Sequence, residues 1–221
     1  AVLPRVWRDR DEPALRTLLE RARALGFTGV LIGNLGHLPL VRGLNFHLYG
    51  DYGLNVFNSR SLAYLKDKEL ESACVSFELR FAQIRDLKKV LRAEAIVYGR
   101  LPLMITENCL VQNETGCRLD RQGPCVPEDG PCRCGQPNVL VDRTGAAFPL
   151  LPAYGHRTEI QNSKPLYLAD RPEHRRLGLA YARLRFTTET AEECVSVVQN
   201  YLDAAPAAGD FTRGLYERGV E

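Results

Sequence analysis

A short apolar run followed by an amphipathic helical stretch recurs along this chain, and that alternation constrains its fold more than any other feature. Residues 13–25 carry Leu15, Leu18, Leu19, Ala22 and Leu25 at helical spacing and close on Gly26, after which 29–33 form a compact apolar run. The pattern returns in 54–57 before a helix from Ser59 and Ser61 to about Lys68, in 73–77 before a helix over 81–91, and in 95–98 before a long loop. It resumes with 165–168, a helix near 172–179, a run at 182–186 and a helix from Thr190 to about Leu202. The start of that last helix, Thr190-Ala191-Glu192-Glu193, has the form of a capping box. Strands that alternate with helices pair in parallel and are covered by those helices, so the expected class is α/β. Residues 138–141, 142–145 and 146–150 read as strand, turn and strand, an antiparallel hairpin inserted between the parallel units.

With 221 residues, 45% of them apolar, the chain can bury a substantial core as one large domain or two small ones. No apolar run approaches the ~18 residues that cross a bilayer, and no charged-then-apolar leader precedes the first helix, so a soluble, cytoplasmic protein with no membrane partner is expected. The chain starts at Ala1 rather than Met, which suggests a piece of a longer protein. A formal charge of +2 argues for nucleic acid only if the basic residues cluster. Arg171, Arg175, Arg176, Arg183 and Arg185 are candidates for such a cluster, and we read them instead as an ordinary solvated face.

Five of the seven cysteines, at 109, 117, 125, 132 and 134, fall in one Gly/Pro-rich loop. An odd total argues against a fully paired secreted framework, and the crowding favours a metal site over free thiols or disulfides. Thiolates suit zinc or an iron–sulfur cluster, although the spacing lacks the paired C-x2-C knuckles of common zinc sites. Cys74 in an apolar run and Cys194 on a helix read as core residues. Among the histidines, His156 follows the hairpin and can return to the loop, whereas His37, His47 and His174 read as surface or packing residues. The chain has no H-E-x-x-H, G-x-S-x-G, Walker loop or G-x-G-x-x-G, so neither a recognised hydrolase nor a nucleotide site is indicated.

In parallel α/β folds the chemistry gathers where strands give way to loops. Asn34, Asn58, Glu78, Arg100, Glu107 and Asn108 stand at such ends here. Asn34, Asn58 and Asn108 are candidate substrate contacts, with helix capping as the plainer reading of Asn58.

Several stretches are familiar: Gly33-Asn34-Leu35-Gly36, residues 50–59 from Gly50-Asp51-Tyr52-Gly53 onward, Ser76-Phe77-Glu78-Leu79, 98–109 from Tyr98-Gly99-Arg100 to Glu107-Asn108-Cys109, Asn162-Ser163-Lys164-Pro165-Leu166, and Phe211-Thr212-Arg213-Gly214. In this order they resemble the collagenase-like peptidase family of unassigned catalytic type, and most of all the C-terminal portion of its long bacterial members. The resemblance implies a TIM-barrel-like α/β domain over 1–203, partial or complete, with the cysteine-rich loop and hairpin inserted at 108–151 and an irregular tail at 204–221. Since fewer than eight confident units are legible, the remainder of a larger chain or a second copy is expected to complete the assembly.

The resemblance also implies oxygen-independent hydroxylation of RNA or a small aromatic substrate, with a small anionic aromatic such as prephenate as the oxygen source in some members. In the quinone-pathway members a 4Fe–4S cluster sits on four cysteines. Carried onto this chain, its ligands are Cys109, Cys117 and Cys134, with Cys132 or Cys125 as alternates and His156 where a fourth cysteine is common. Arg100 is then expected to pair with an anionic substrate, or to brace the site through Glu78 or Glu107, and Glu78 to transfer protons. The alternatives are a metal-dependent peptidase, for which no nucleophile or base stands out, and a non-catalytic domain with a structural zinc.

Overall fold

The computed structural model describes residues 1–115 and 136–220. It is a mixed α/β structure built on two sheets. The larger contains β1 (Gly29–Ile32), β2 (His47–Gly50), β3 (Leu70–Cys74), β4 (Arg92–Gly99) and β10 (Tyr181–Leu184), all parallel and adjacent in that order, with the short β9 (Leu166–Tyr167) antiparallel to β4. The smaller is fully antiparallel, in the order β5 (Pro102–Thr106), β8 (Arg157–Gln161), β7 (Ala147–Ala153), β6 (Asn138–Val141). The sequential parallel order is what the strand–helix alternation demands. A closed barrel is not formed by the described residues: the sheet is open, and Val2 extends it beyond β1 through a parallel bridge to Leu31.

Helices cover the convex face. On α1 (Glu12–Ala24), Leu15 and Leu19 meet Val30 and Ile32, the buried alternate positions of β1. On α3 (Ser59–Asp67), Leu62 and Leu65 pack with Ala73, and Ile84 of α4 (Phe81–Asp86) joins the same core. Each such fully buried leucine or isoleucine contributes about 1.5–3 kcal/mol. The caps agree with the sequence: Asn58 accepts from the Ser61 amide at 2.9 Å, and Thr190 opens α6 (Ala191–Asp203) with a complete capping box.

Three expectations need correction. The strand read at 95–98 does not lead straight into a loop: β4 stops at Gly99 and β5 follows at once in the other sheet, so the hairpin is half of a four-stranded sheet. The second parallel strand is 47–50 rather than 54–57, because Tyr52–Leu54 form a 3-10 turn and Asn55 is left-handed at φ 50°. The helix over 81–91 ends at Asp86, where the chain turns extended at Leu87. The tail has no helix or strand among its described residues, as expected, yet it is tied down: Tyr216 is 1% exposed, and its hydroxyl donates to the Ile96 carbonyl at 2.6 Å.

Of the two readings of His37, surface or packing, packing holds: it lies in the core at 0% exposure. Its ring stacks on Trp7 at 5.9 Å, Nε2 donates to the Pro4 carbonyl at 3.1 Å, and Nδ1 has no partner among the described residues. A second proton would place a charge on a buried atom with no acceptor, so burial lowers the pKa from 6.5 to about 4, with the Pro4 hydrogen bond opposing the shift only partly. The folded chain therefore binds fewer protons than the unfolded chain between these values, and stability should fall as the pH drops through that window. Urea titrations from pH 7 to 4 should show wild type losing about 2–3 kcal/mol more than His37→Phe. Parallel curves would show that His37 titrates normally.

Candidate functional site

Side chains on a strand alternate between its faces, so one face of the curled large sheet carries Leu31, Tyr49, Ser72, Glu94, Tyr181 and Arg183 around a cavity of about 390 Å³. That concave face is polar. Arg183 forms an ion pair with Asp51, just beyond β2, and meets Glu94 of β4 through Nη2 to Oε1 at 2.9 Å and Nε to Oε2 at 3.1 Å. Burial opposes the arginine's charge, but Cys74, Glu94 and Asp51 outweigh it and hold its pKa above the ordinary value. Cys74 beside it is fully buried, which pushes its thiol up to about 12 and leaves it unreactive near neutrality.

Where these strands end, a groove of about 810 Å³ opens between the large sheet, α1 and the small sheet. Part of its polar wall is a network centred on Glu159. Glu159 of β8 accepts from Arg185, just past β10, at 3.1 Å and from Tyr52 at 3.4 Å, and lies 4.0 Å from Arg5. Gln161, fully buried, donates to Glu159 at 3.0 Å and accepts from Arg185 at 2.7 Å. The guanidinium carbons of Arg5 and Arg185 stand 5.1 and 5.6 Å from the centre of the Tyr52 ring. Burial, then Glu159, raises the Tyr52 phenol to about 12, so at neutral pH it keeps its proton and can donate it. Arg157, 3% exposed, pairs with Glu107 at 3.1 Å and donates to the Tyr154 carbonyl at 3.1 Å. Such a wall recognises anions and can hand over a phenolic proton.

None of the described residues expected to be catalytic, to contact substrate or to bind a metal lines this groove, whereas Arg183 and Arg185, named as a possible basic cluster, do. Arg100 spends its guanidinium on backbone, donating to Asn162 at 3.0 Å and to the Ser163 carbonyl, with Thr188 at 3.4 Å. It therefore ties β4 to the segment after β8, and neither Glu78 nor Glu107 braces it. Glu78 is half-buried, its amide donating to Ser76 Oγ at 3.3 Å. Asn34 accepts from the Gly36 amide at 2.8 Å and donates to the Arg5 carbonyl at 3.2 Å, while Asn58 caps α3 and Asn108 is exposed. Arg183 and Arg185 are not on a solvated face: alternation places both inward, and Arg171 pairs separately with Glu217. The missed Glu159 and Gln161 had one signal, polar side chains at period two within the short strand β8, the spacing that Arg183 in β10 and Arg185 just past it also show.

Cys117, Cys125, Cys132 and Cys134 lie outside the described residues. Of the expected ligands, Cys109 and His156 are described. Thr106 pairs with Thr158, and the following residues, Glu107 and Arg157, form an ion pair, so Cys109 and His156 come to one end of the small sheet. Cys109 is half-buried and its sulfur accepts from the Gln112 amide at 3.4 Å. No group of three or more His, Cys, Asp or Glu side chains set to hold a metal occurs among the described residues. No helix among them is long and apolar enough to cross a membrane.

Comparison with curated proteins and with solved structures returned no match. The model of peptidase family U32 matches residues 2–139, which takes in the strand–helix units, Asp51, Tyr52 and the cysteine segment. That match spans more than half of the chain and agrees with the resemblance carried by its motifs, so the chain belongs to peptidase family U32, the collagenase-like family.

Proposed function

We propose that this chain acts in oxygen-independent hydroxylation of RNA or a small aromatic substrate, at an iron–sulfur site next to the arginine-lined groove of a TIM-like barrel mouth. The observation that carries this reading is the shared small sheet: β8 offers Glu159 to the groove, and the same strand begins beside the end that holds Cys109 and His156. Cys109, Cys117 and Cys134 would hold a 4Fe–4S cluster with His156, or with Cys132 or Cys125, in the fourth place; zinc is the other metal this donor set accepts. When bound, the cluster supplies one-electron chemistry. The chain itself supplies Arg5 and Arg185 to hold an anionic group, Glu159 to hold the two arginines in place, and Tyr52 as a proton donor.

Among the described residues the groove wall offers no serine, threonine, cysteine, lysine or histidine, so the peptidase alternative gains no nucleophile from them. Anaerobically purified protein should contain iron and acid-labile sulfide and absorb near ~400 nm, and Cys109→Ser should lower all three together. Stoichiometric zinc with no sulfide would instead point to a structural site, and metal-free protein would end both readings.

A further inference from the structure

The groove has a second wall that the function above leaves unused. Along α1, Leu18 and Leu25 are 51% and 68% exposed and stand about 10 Å apart down the helix axis. Phe27 at 49% and Val2 at 72% continue this apolar surface, with Ala22 between the leucines. Opposite it Arg5 and Arg185 share a single carboxylate, Glu159, while Arg157 and Arg183 are paired with Glu107 and with Asp51 and Glu94. Arg157 adds an independent sign of a ligand, because its buried Nε has no hydrogen-bond partner among the described residues. A buried guanidinium N–H left unmade is costly, and a shift of the Arg157 side chain toward the groove would let a ligand oxygen satisfy it.

We propose that this groove binds a free long-chain carboxylate, its head among Arg5, Arg157 and Arg185 and its hydrocarbon chain along Leu18, Ala22 and Leu25. The volume suits such a ligand, since small-molecule sites span roughly 300–1,000 Å³. Glu159 already plays the part of the incoming head group, a carboxylate shared by Arg5 and Arg185. Neutralising it would free both arginines for the ligand.

The inference rests on the reading of the groove as the ligand site, and its test does not depend on the cluster. Calorimetric titration of the full chain with dodecanoate should saturate. Hexanoate and dodecyltrimethylammonium should each bind at least tenfold more weakly, the first for lack of buried methylenes and the second for its charge. Leu18→Glu, a change at an exposed position, should weaken dodecanoate at least tenfold, and Glu159→Gln should tighten it several-fold. No saturation by dodecanoate, equal binding of the cation, or both variants binding as wild type does would overturn the proposal. Iron-free protein that binds dodecanoate would remove the cluster reading alone, and clustered protein that does not bind it would remove this one alone.

Discussion

Gly99→Ala should destabilise the chain by about 4 kcal/mol, read as a drop in the urea midpoint with the cooperativity unchanged. Gly99 has φ +115°, a region that residues with a Cβ rarely adopt, and an added Cβ would lie 2.0 Å from the Arg185 carbonyl oxygen. Neither partner can step aside cheaply. The Arg185 amide donates to Tyr98 at 2.9 Å, which holds β10 against β4, and Arg185 Nη1 donates to the Arg100 carbonyl at 2.7 Å. The chain must leave the large sheet for β5 here, and the missing side chain lets it do so without breaking that seam. Gly145→Ala is the control. It also has a positive φ, +84°, but nothing lies within 4 Å of its added Cβ, so only the backbone cost of about 1–2 kcal/mol should remain. If the two glycines cost the same, the close approach at Arg185 is not what Gly99 serves.

Gly99 also marks where sequence reading stopped working. The helices and most parallel strands were legible because burial imposes a period: Leu15 and Leu19 on α1, Val30 and Ile32 on β1, and the Thr190 cap of α6. The run from Ile96 to Cys109 carries the same apolar signal on both sides of Gly99, so nothing in hydropathy alone divides it between two sheets. The apolar run 54–57 misleads for the opposite reason, since Leu54 closes a 3-10 turn that brings Tyr52 to Glu159 and Asn55 is left-handed. The site suffered most. Glu159 and Arg185 lie 26 positions apart and Arg5 far upstream of both, and only the pairing of β5 with β8 and the curl of the large sheet bring them together. Arg100, by contrast, looked functional because it is a lone charge at a strand end, and a lone charge can equally well serve backbone carbonyls, as it does here.

Arg183→Met should cost about 3–5 kcal/mol, although the methionine fills much of the same space. The side chains of Arg183, Asp51 and Glu94 are 19%, 13% and 10% exposed, so removing the cation leaves two poorly hydrated carboxylates facing each other across the concave sheet. Ser72, 3.4 Å from Glu94, offers a single weak donor in compensation. The cost thus comes from the anions left behind rather than from the lost arginine, and this distinction can be measured. Adding Asp51→Asn and Glu94→Gln to Arg183→Met should restore most of the stability, because a neutral trio of similar shape no longer buries unpaired charge. The coupling between the cation and the two anions should exceed about 2 kcal/mol in a mutant cycle read by urea titration, since groups in direct contact do not contribute additively. A triple variant no more stable than Arg183→Met would mean that packing sets the cost. Because Arg183 also lines the groove, recovered stability without recovered dodecanoate binding would separate its part in the fold from its part in the site.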